Sequence, residues 1–109
     1  MSAIVFLKPT GRLDALGARS LWGELEPLTH APHLRVLVDM RETRYLSSEG
    51  LRVLMRASKG VKHSGGKLVL CCLSARLMEI VTMAGIDHIL EIHSSESAAR
   101  GALDAYVDG

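Results

Sequence analysis

The spacing of apolar residues changes several times along the chain, and each change marks an element. Ala3-Ile4-Val5-Phe6-Leu7 predicts a short first strand, and Pro9-Thr10-Gly11 predicts a turn after it. Asp14 suits a helix cap, because its carboxylate can accept from backbone N–H groups of the first turn. Behind it Ala15, Ala18, Leu21, Trp22, Leu25 and Leu28 recur at helical spacing and form one stripe, with Pro27 near its end. Thr29 to His33 reads as a loop. Leu34 to Val38 is a near-continuous apolar run, as expected of a strand covered on both faces. The polar stretch Asp39 to Arg44 leads to a second helical pattern, from about Glu49 to His63. That helix carries Leu51, Leu54, Ala57, Ser58 and Val61 on one face, widened by Val53, and His63-Ser64-Gly65-Gly66 ends it.

Lys67-Leu68-Val69-Leu70-Cys71-Cys72 predicts another buried strand. Ser74 is placed to cap a third helix over Ala75 to Met83, with Leu77, Ile80, Val81 and Ala84 turned inward and Gly85 closing it. A short strand is expected over Ile89-Leu90-Glu91-Ile92. Ser94 or Ser95 then caps a last helix to about Tyr106, with Ala98, Ala99, Ala102, Leu103 and Tyr106 as its face. Strands alternate with helices from Leu34 onward, which predicts right-handed βαβ crossovers and helices packed on a sheet. The expected organisation is a single α/β domain over residues 1–109.

Composition narrows the function classes. Hydrophobic residues make up 48% of the 109 residues but aromatics only 4%, which suits helices on a mostly parallel sheet better than a β-sandwich. The 13 Lys and Arg are scattered and nearly balance the 12 Asp and Glu, so no basic stripe with stacking aromatics marks a nucleic-acid binder. No run approaches the ~18 apolar residues of a membrane span, and Met1 to Leu7 lacks the basic start of a signal peptide. Adjacent Cys71 and Cys72 read as two reduced thiols at a strand end. A cytoplasmic protein, with neither membrane nor nucleic acid as partner, is the expectation.

The candidate chemistry centres on Tyr45-Leu46-Ser47-Ser48-Glu49-Gly50-Leu51, at the start of the second helix. Unpaired N–H groups and the positive end of the macrodipole meet there. A serine at that place can serve as an N-cap, a role that accounts for one of the two hydroxyls. The other can lie exposed in the first turn and carry a phosphate, which adds about −1.5 to −2 charge. Local chemistry leaves both roles open and favours the cap. A nucleophile elbow is excluded, because Gly-x-Ser-x-Gly would need glycine where Leu46 stands. His30 and His33 lack neighbouring Cys, Asp or Glu to complete a metal site, and Gly65-Gly66 is not followed by the Lys-Ser/Thr of a phosphate loop. No metal, cofactor or catalytic residue is therefore expected.

Taken in order, several segments resemble the STAS domain, and specifically the stand-alone bacterial anti-sigma factor antagonists (anti-anti-sigma factors). Gly11-Arg12-Leu13-Asp14 matches a Gly-x-Leu/Ile-Asp element, and Val36-Leu37-Val38-Asp39 matches an apolar strand ending in aspartate. Tyr45 to Leu51 matches a Tyr/Phe-Ile-Asp-Ser-Ser/Ala-Gly-Leu segment, with Ser47 in place of the aspartate and Glu49 where a small residue is common. Gly65 to Leu70 and Ala84-Gly85-Ile86 match two later elements. The resemblance implies a small mixed or mostly parallel sheet with about four helices packed mainly on one side. It implies a non-enzymatic switch. The unmodified protein binds an ATP-binding, GHKL-type serine kinase that is also an anti-sigma factor. Phosphorylation of Ser48, with Ser47 the second choice, releases the kinase, and a PP2C-type phosphatase reverses it. The implied partner surface comprises Gly11, Leu13, Asp14, Ser47, Ser48, Glu49, Gly50, Leu51, Arg52 and Met55. The alternative is a non-phosphorylated STAS scaffold in a transporter ATPase or a sensory complex.

Overall fold

The computed structural model describes residues 3–107. Its elements run in the order β1 (Ile4–Leu7), β2 (Gly11–Leu13), α1 (Ala15–Thr29), β3 (Arg35–Asp39), β4 (Thr43–Leu46), α2 (Ser48–His63), β5 (Lys67–Cys71), α3 (Ala75–Met83), a 3₁₀ turn (Ile86–His88), β6 (Glu91–His93) and α4 (Glu96–Ala105). The main sheet has the strand order β1-β3-β5-β6, and β2 pairs with β4 as a separate two-stranded ribbon. Every pairing among these strands is parallel. Chain direction therefore repeats in each strand, and the helices serve as the return paths.

Side-chain alternation splits the core into two layers. Val36, Val38, Leu68 and Leu70 face one side, where they pack with Leu21, Leu25, Leu54, Val61, Leu77 and Val81 of α1, α2 and α3. Leu37, Val69 and Cys71 face the other side, where Ala99 and Leu103 of α4 cover them. The sheet is thus buried on both faces, as continuous apolar strands require. Three helices lie on one face and one on the other, in agreement with the expected asymmetric packing. The end of α4 is clamped to the sheet. Arg35 donates from Nε to the Leu103 carbonyl at 2.8 Å and from Nη2 to the Tyr106 carbonyl at 2.6 Å. A guanidinium at this end meets the negative end of the helix dipole, sharing the Leu103 carbonyl with the Tyr106 N–H at 3.2 Å.

The structure departs from the sequence reading in several places. The stretches around Gly11 and Thr43, read as a turn and a polar lead-in, are paired strands. Each is too short, and Arg12, Arg44 and Tyr45 too polar or exposed, to show a period of two. The strand expected over residues 89–92 starts at Glu91, because Ile86–His88 winds into the 3₁₀ turn and Leu90 packs into the core beside it. Leu34 and Cys72 fall outside their strands. Ala15, Ala84 and Ala98, expected on apolar faces, are exposed. Each sits at a helix end or on its flank, where the apolar stripe has already turned away from the sheet. Of the two candidate caps for the last helix, Ser95 is the one used, accepting from the Ala98 N–H at 3.0 Å.

Candidate functional site: the start of α2

Two helices begin side by side where the β2–β4 ribbon ends. Asp14 caps α1, with Oδ1 accepting from the Gly17 N–H at 3.0 Å. Ser47 caps α2 from an extended backbone, φ −87° and ψ 172°. Its Oγ accepts from the Gly50 N–H at 3.1 Å and donates to the Leu13 carbonyl at 2.6 Å. The Ser47 N–H donates to that same carbonyl at 3.0 Å. Ser47 is therefore fully engaged, and it bolts the start of α2 to the strand that leads into α1. This places the Gly11–Asp14 and Ser47–Leu51 segments side by side at one end of the molecule.

Glycine is required here by close packing. A Cβ on Gly50 would lie 2.9 Å from Leu46 Cδ1 and 3.0 Å from the Leu13 carbonyl oxygen. A Cβ on Gly17 would lie 2.1 Å from the Arg12 carbonyl oxygen. Both distances are well inside van der Waals contact, so any larger residue would push a helix start off the ribbon.

Ser48 differs from its neighbour in every respect. It is the first residue of α2, exposed, and no hydrogen bond engages its hydroxyl among the described residues. Glu49 follows, also exposed, in the first turn. One turn further on Arg52 is exposed and Met55 half-buried. Leu13, Gly50 and Leu51 lie beneath this surface and shape it from within. Gly11 and Asp14 are half-buried beside it, with Asp14 Oδ2 3.8 Å from Arg12 Nε. The Arg12 guanidinium lies 4.3 Å from the centre of the Tyr45 ring, so Tyr45 presents a cation-covered aromatic face at the ribbon's edge.

From Ser48 an open groove runs along α2. Leu51, Arg52, Met55, Arg56 and Lys59 form one wall, and Ala84 and Ile86 form the other. Its lining is apolar at the floor and cationic along the rim. Arg56 is held by stacking on Trp22, 4.2 Å from the ring centre. The extension to Arg56 and Lys59 was missed from the sequence, although both fall at helical spacing from Ser48 and Arg52. Ala84 and Ile86 carry no such signal, because only the packing of α3 beside α2 brings them there.

A second group of reactive side chains lies on the α4 side of the sheet. Asp39, Cys71 and Cys72 place their ligand atoms within 4.8 Å of one another, whereas His30 and His33 enter no such cluster among the described residues. Burial first, then the neighbouring Cys72, pushes the Cys71 thiol up to about 12.

A family model described as "Mlab, STAS domain" matches residues 4–91. The chain belongs to the STAS-domain family. BtrV of Bordetella bronchiseptica is 32% identical over 92 residues, covering 84% of this chain and 79% of its own. The anti-sigma-B factor antagonist of Listeria monocytogenes is 31% identical over 91 residues, covering 84% and 80%. The structure of the anti-sigma factor antagonist SpoIIAA in its unphosphorylated form superposes with a TM-score of 0.75, covering 98% of this chain and 93% of that one. At 12% identity that last likeness speaks for the STAS fold alone. No helix among the described residues is long and apolar enough to cross a membrane.

Proposed function

We propose that this STAS domain is an anti-sigma factor antagonist, a cytoplasmic partner switch without catalytic activity of its own. In its unmodified form it docks the start of α2 and the groove beside it onto a serine-kinase anti-sigma factor. The kinase brings ATP, transfers phosphate to Ser48, and is thereby released. A PP2C-type phosphatase resets the switch.

The observation that carries this reading is the division of labour between two adjacent hydroxyls. Ser47 is occupied on both sides, as acceptor from Gly50 and donor to Leu13, while Ser48 is exposed and unengaged among the described residues. A phosphoryl group on Ser48 would disturb no hydrogen bond of the fold. It would sit at the N-terminus of a 16-residue helix, where backbone dipoles favour an anion, with Arg52 one turn away. The switch would then act by changing the surface rather than by unfolding it. Added charge of about −1.5 to −2 would offset the cationic rim of Arg52, Arg56 and Lys59, and an acidic partner segment held there would leave.

The test combines the chain, its cognate kinase and ATP, followed by mass spectrometric mapping. Phosphate on Ser48, absent from a Ser48→Ala variant, is the expected result. Modification at Ser47 alone would reject the assignment. Tight kinase binding by a Ser48→Asp variant would reject release by surface charge.

A further inference from the structure

We propose that Asp39, Cys71 and Cys72 form a binding site for a thiophilic divalent cation of the zinc type, between the carboxyl ends of β3 and β5 and the helix α4. The site is separate from the Ser48 surface and independent of the switch proposed for it.

Backbone geometry is the first observation. Adjacent residues of a strand point to opposite faces, so Cys72 should face away from Cys71. Cys72 instead adopts φ 63°, a left-handed conformation that residues other than glycine, asparagine and aspartate rarely take. The chain turns there, and both sulfurs lie against the same layer, the one that α4 covers.

The second observation is an unpartnered carboxylate oxygen. The Asp39 side chain is 1% exposed. Its Oδ1 accepts from the Arg41 N–H at 2.9 Å, but Oδ2 has no hydrogen-bond partner among the described residues. The nearest cationic nitrogen, Arg41 Nη2, stands 3.8 Å from it, outside hydrogen-bond reach. A buried carboxylate oxygen normally has a partner, and this carboxylate has an oxygen within 4.8 Å of both sulfurs.

Ligand type and charge then identify the occupant. Two sulfurs and one oxygen suit zinc and similar cations, not magnesium or calcium. Zinc–sulfur bonds of ~2.3 Å place tetrahedral ligands ~3.8 Å apart, so the present separations of up to 4.8 Å close by small side-chain rotations. Coordination releases two thiol protons to solvent and changes no oxidation state. Two thiolates and a carboxylate carry three negative charges. The cation supplies two positive charges and the Arg41 guanidinium, 3.4 Å from Cys72 Sγ, supplies the third; Glu96, 3.9 Å from the same guanidinium, is itself paired with Arg100 at 2.8 Å. Cys72 is only half-buried, so a fourth ligand can be solvent.

The test is a Co²⁺ titration of the metal-free, fully reduced chain. One equivalent is expected to give tetrahedral d–d absorption with thiolate charge-transfer bands, both removed by excess Zn²⁺. Zn²⁺ alone should raise the thermal midpoint. Cys72→Ser, at a half-exposed position, should keep the native circular dichroism and lose at least ~10-fold in affinity. Asp39→Asn should do the same, and if it unfolds the Cys72→Ser result decides. An octahedral spectrum, no saturable charge-transfer band, or wild-type affinity in Cys72→Ser would overturn the proposal. So would a signal that disappears only in His30→Ala or His33→Ala.

Discussion

Replacing the two serines separately measures how their roles are divided. Ser47→Ala removes the acceptor for the Gly50 N–H and the donor to the Leu13 carbonyl. A lost N-cap costs about 1 kcal/mol. The second hydrogen bond adds up to about 1 kcal/mol, at the low end because the Leu13 carbonyl still receives the Ser47 N–H at 3.0 Å. The expected loss is about 1–2 kcal/mol, or ~4–8 °C in Tm for a domain of this size. Ser48→Ala removes an exposed hydroxyl without a partner among the described residues, so its stability should stay within ~0.5 kcal/mol of the parent. Urea denaturation followed by circular dichroism gives both values, provided that the slope of free energy against urea is unchanged. Equal destabilisation by the two substitutions would refute the reasoning, as would a Ser47→Ala variant as stable as the parent. Either result would mean that the cap geometry does not hold in solution.

Two further expectations concern the opposite end of the sheet. Arg35→Ala should release the end of α4 and cost about 1–3 kcal/mol, since Arg35 makes charged hydrogen bonds to two carbonyls. Amide hydrogen exchange over residues 100–106 should quicken more than exchange in α2, and uniform quickening would refute the clamp. Burial alone would raise the Glu91 carboxyl, but hydrogen bonds from Lys67 and His93, both at 2.7 Å, outweigh it and hold the carboxyl below its usual range. A folded-state value below the unfolded one means that the ionised form stabilises the protein above the ordinary carboxylate range, ~4.3, and that this contribution fades as pH falls through the folded value. The stability advantage of wild type over Glu91→Gln should therefore be present at neutral pH, small because Glu91 is partly exposed, and should shrink as acidification protonates the carboxyl. An advantage that grows on acidification would refute it.

Much of the fold was legible because its signals are local. The four helices carry their own stripes and caps, and Asp14, Ser47, Ser74 and Ser95 each accept from the N–H three residues on, as their positions suggested. The ribbon was not legible, because β2 and β4 exist only through pairing across 30 or so residues and have no apolar period of their own. The same ribbon decides the site. The Leu13 carbonyl adds a second partner to the Ser47 hydroxyl, which the Gly50 N–H already marks as the cap. The groove rim on α2 was half legible, since Arg56 and Lys59 follow Arg52 at helical spacing. The cysteine pair was read as two thiols at a strand end. What alternation hid is the left-handed turn at Cys72, which puts both on one face beside a buried aspartate.

The sequence by itself determined the α/β class, the helix starts and the presence of two serines where a helix begins. Those follow from periodicity and capping, which act over a few residues. Only the tertiary structure decided that the capping serine is also tied to the β2–β4 ribbon, because the partner of its O–H is the Leu13 carbonyl, 34 residues away. It likewise decided that Asp39 meets Cys71 and Cys72, because β3 and β5 must lie side by side in register before their ends can share a site.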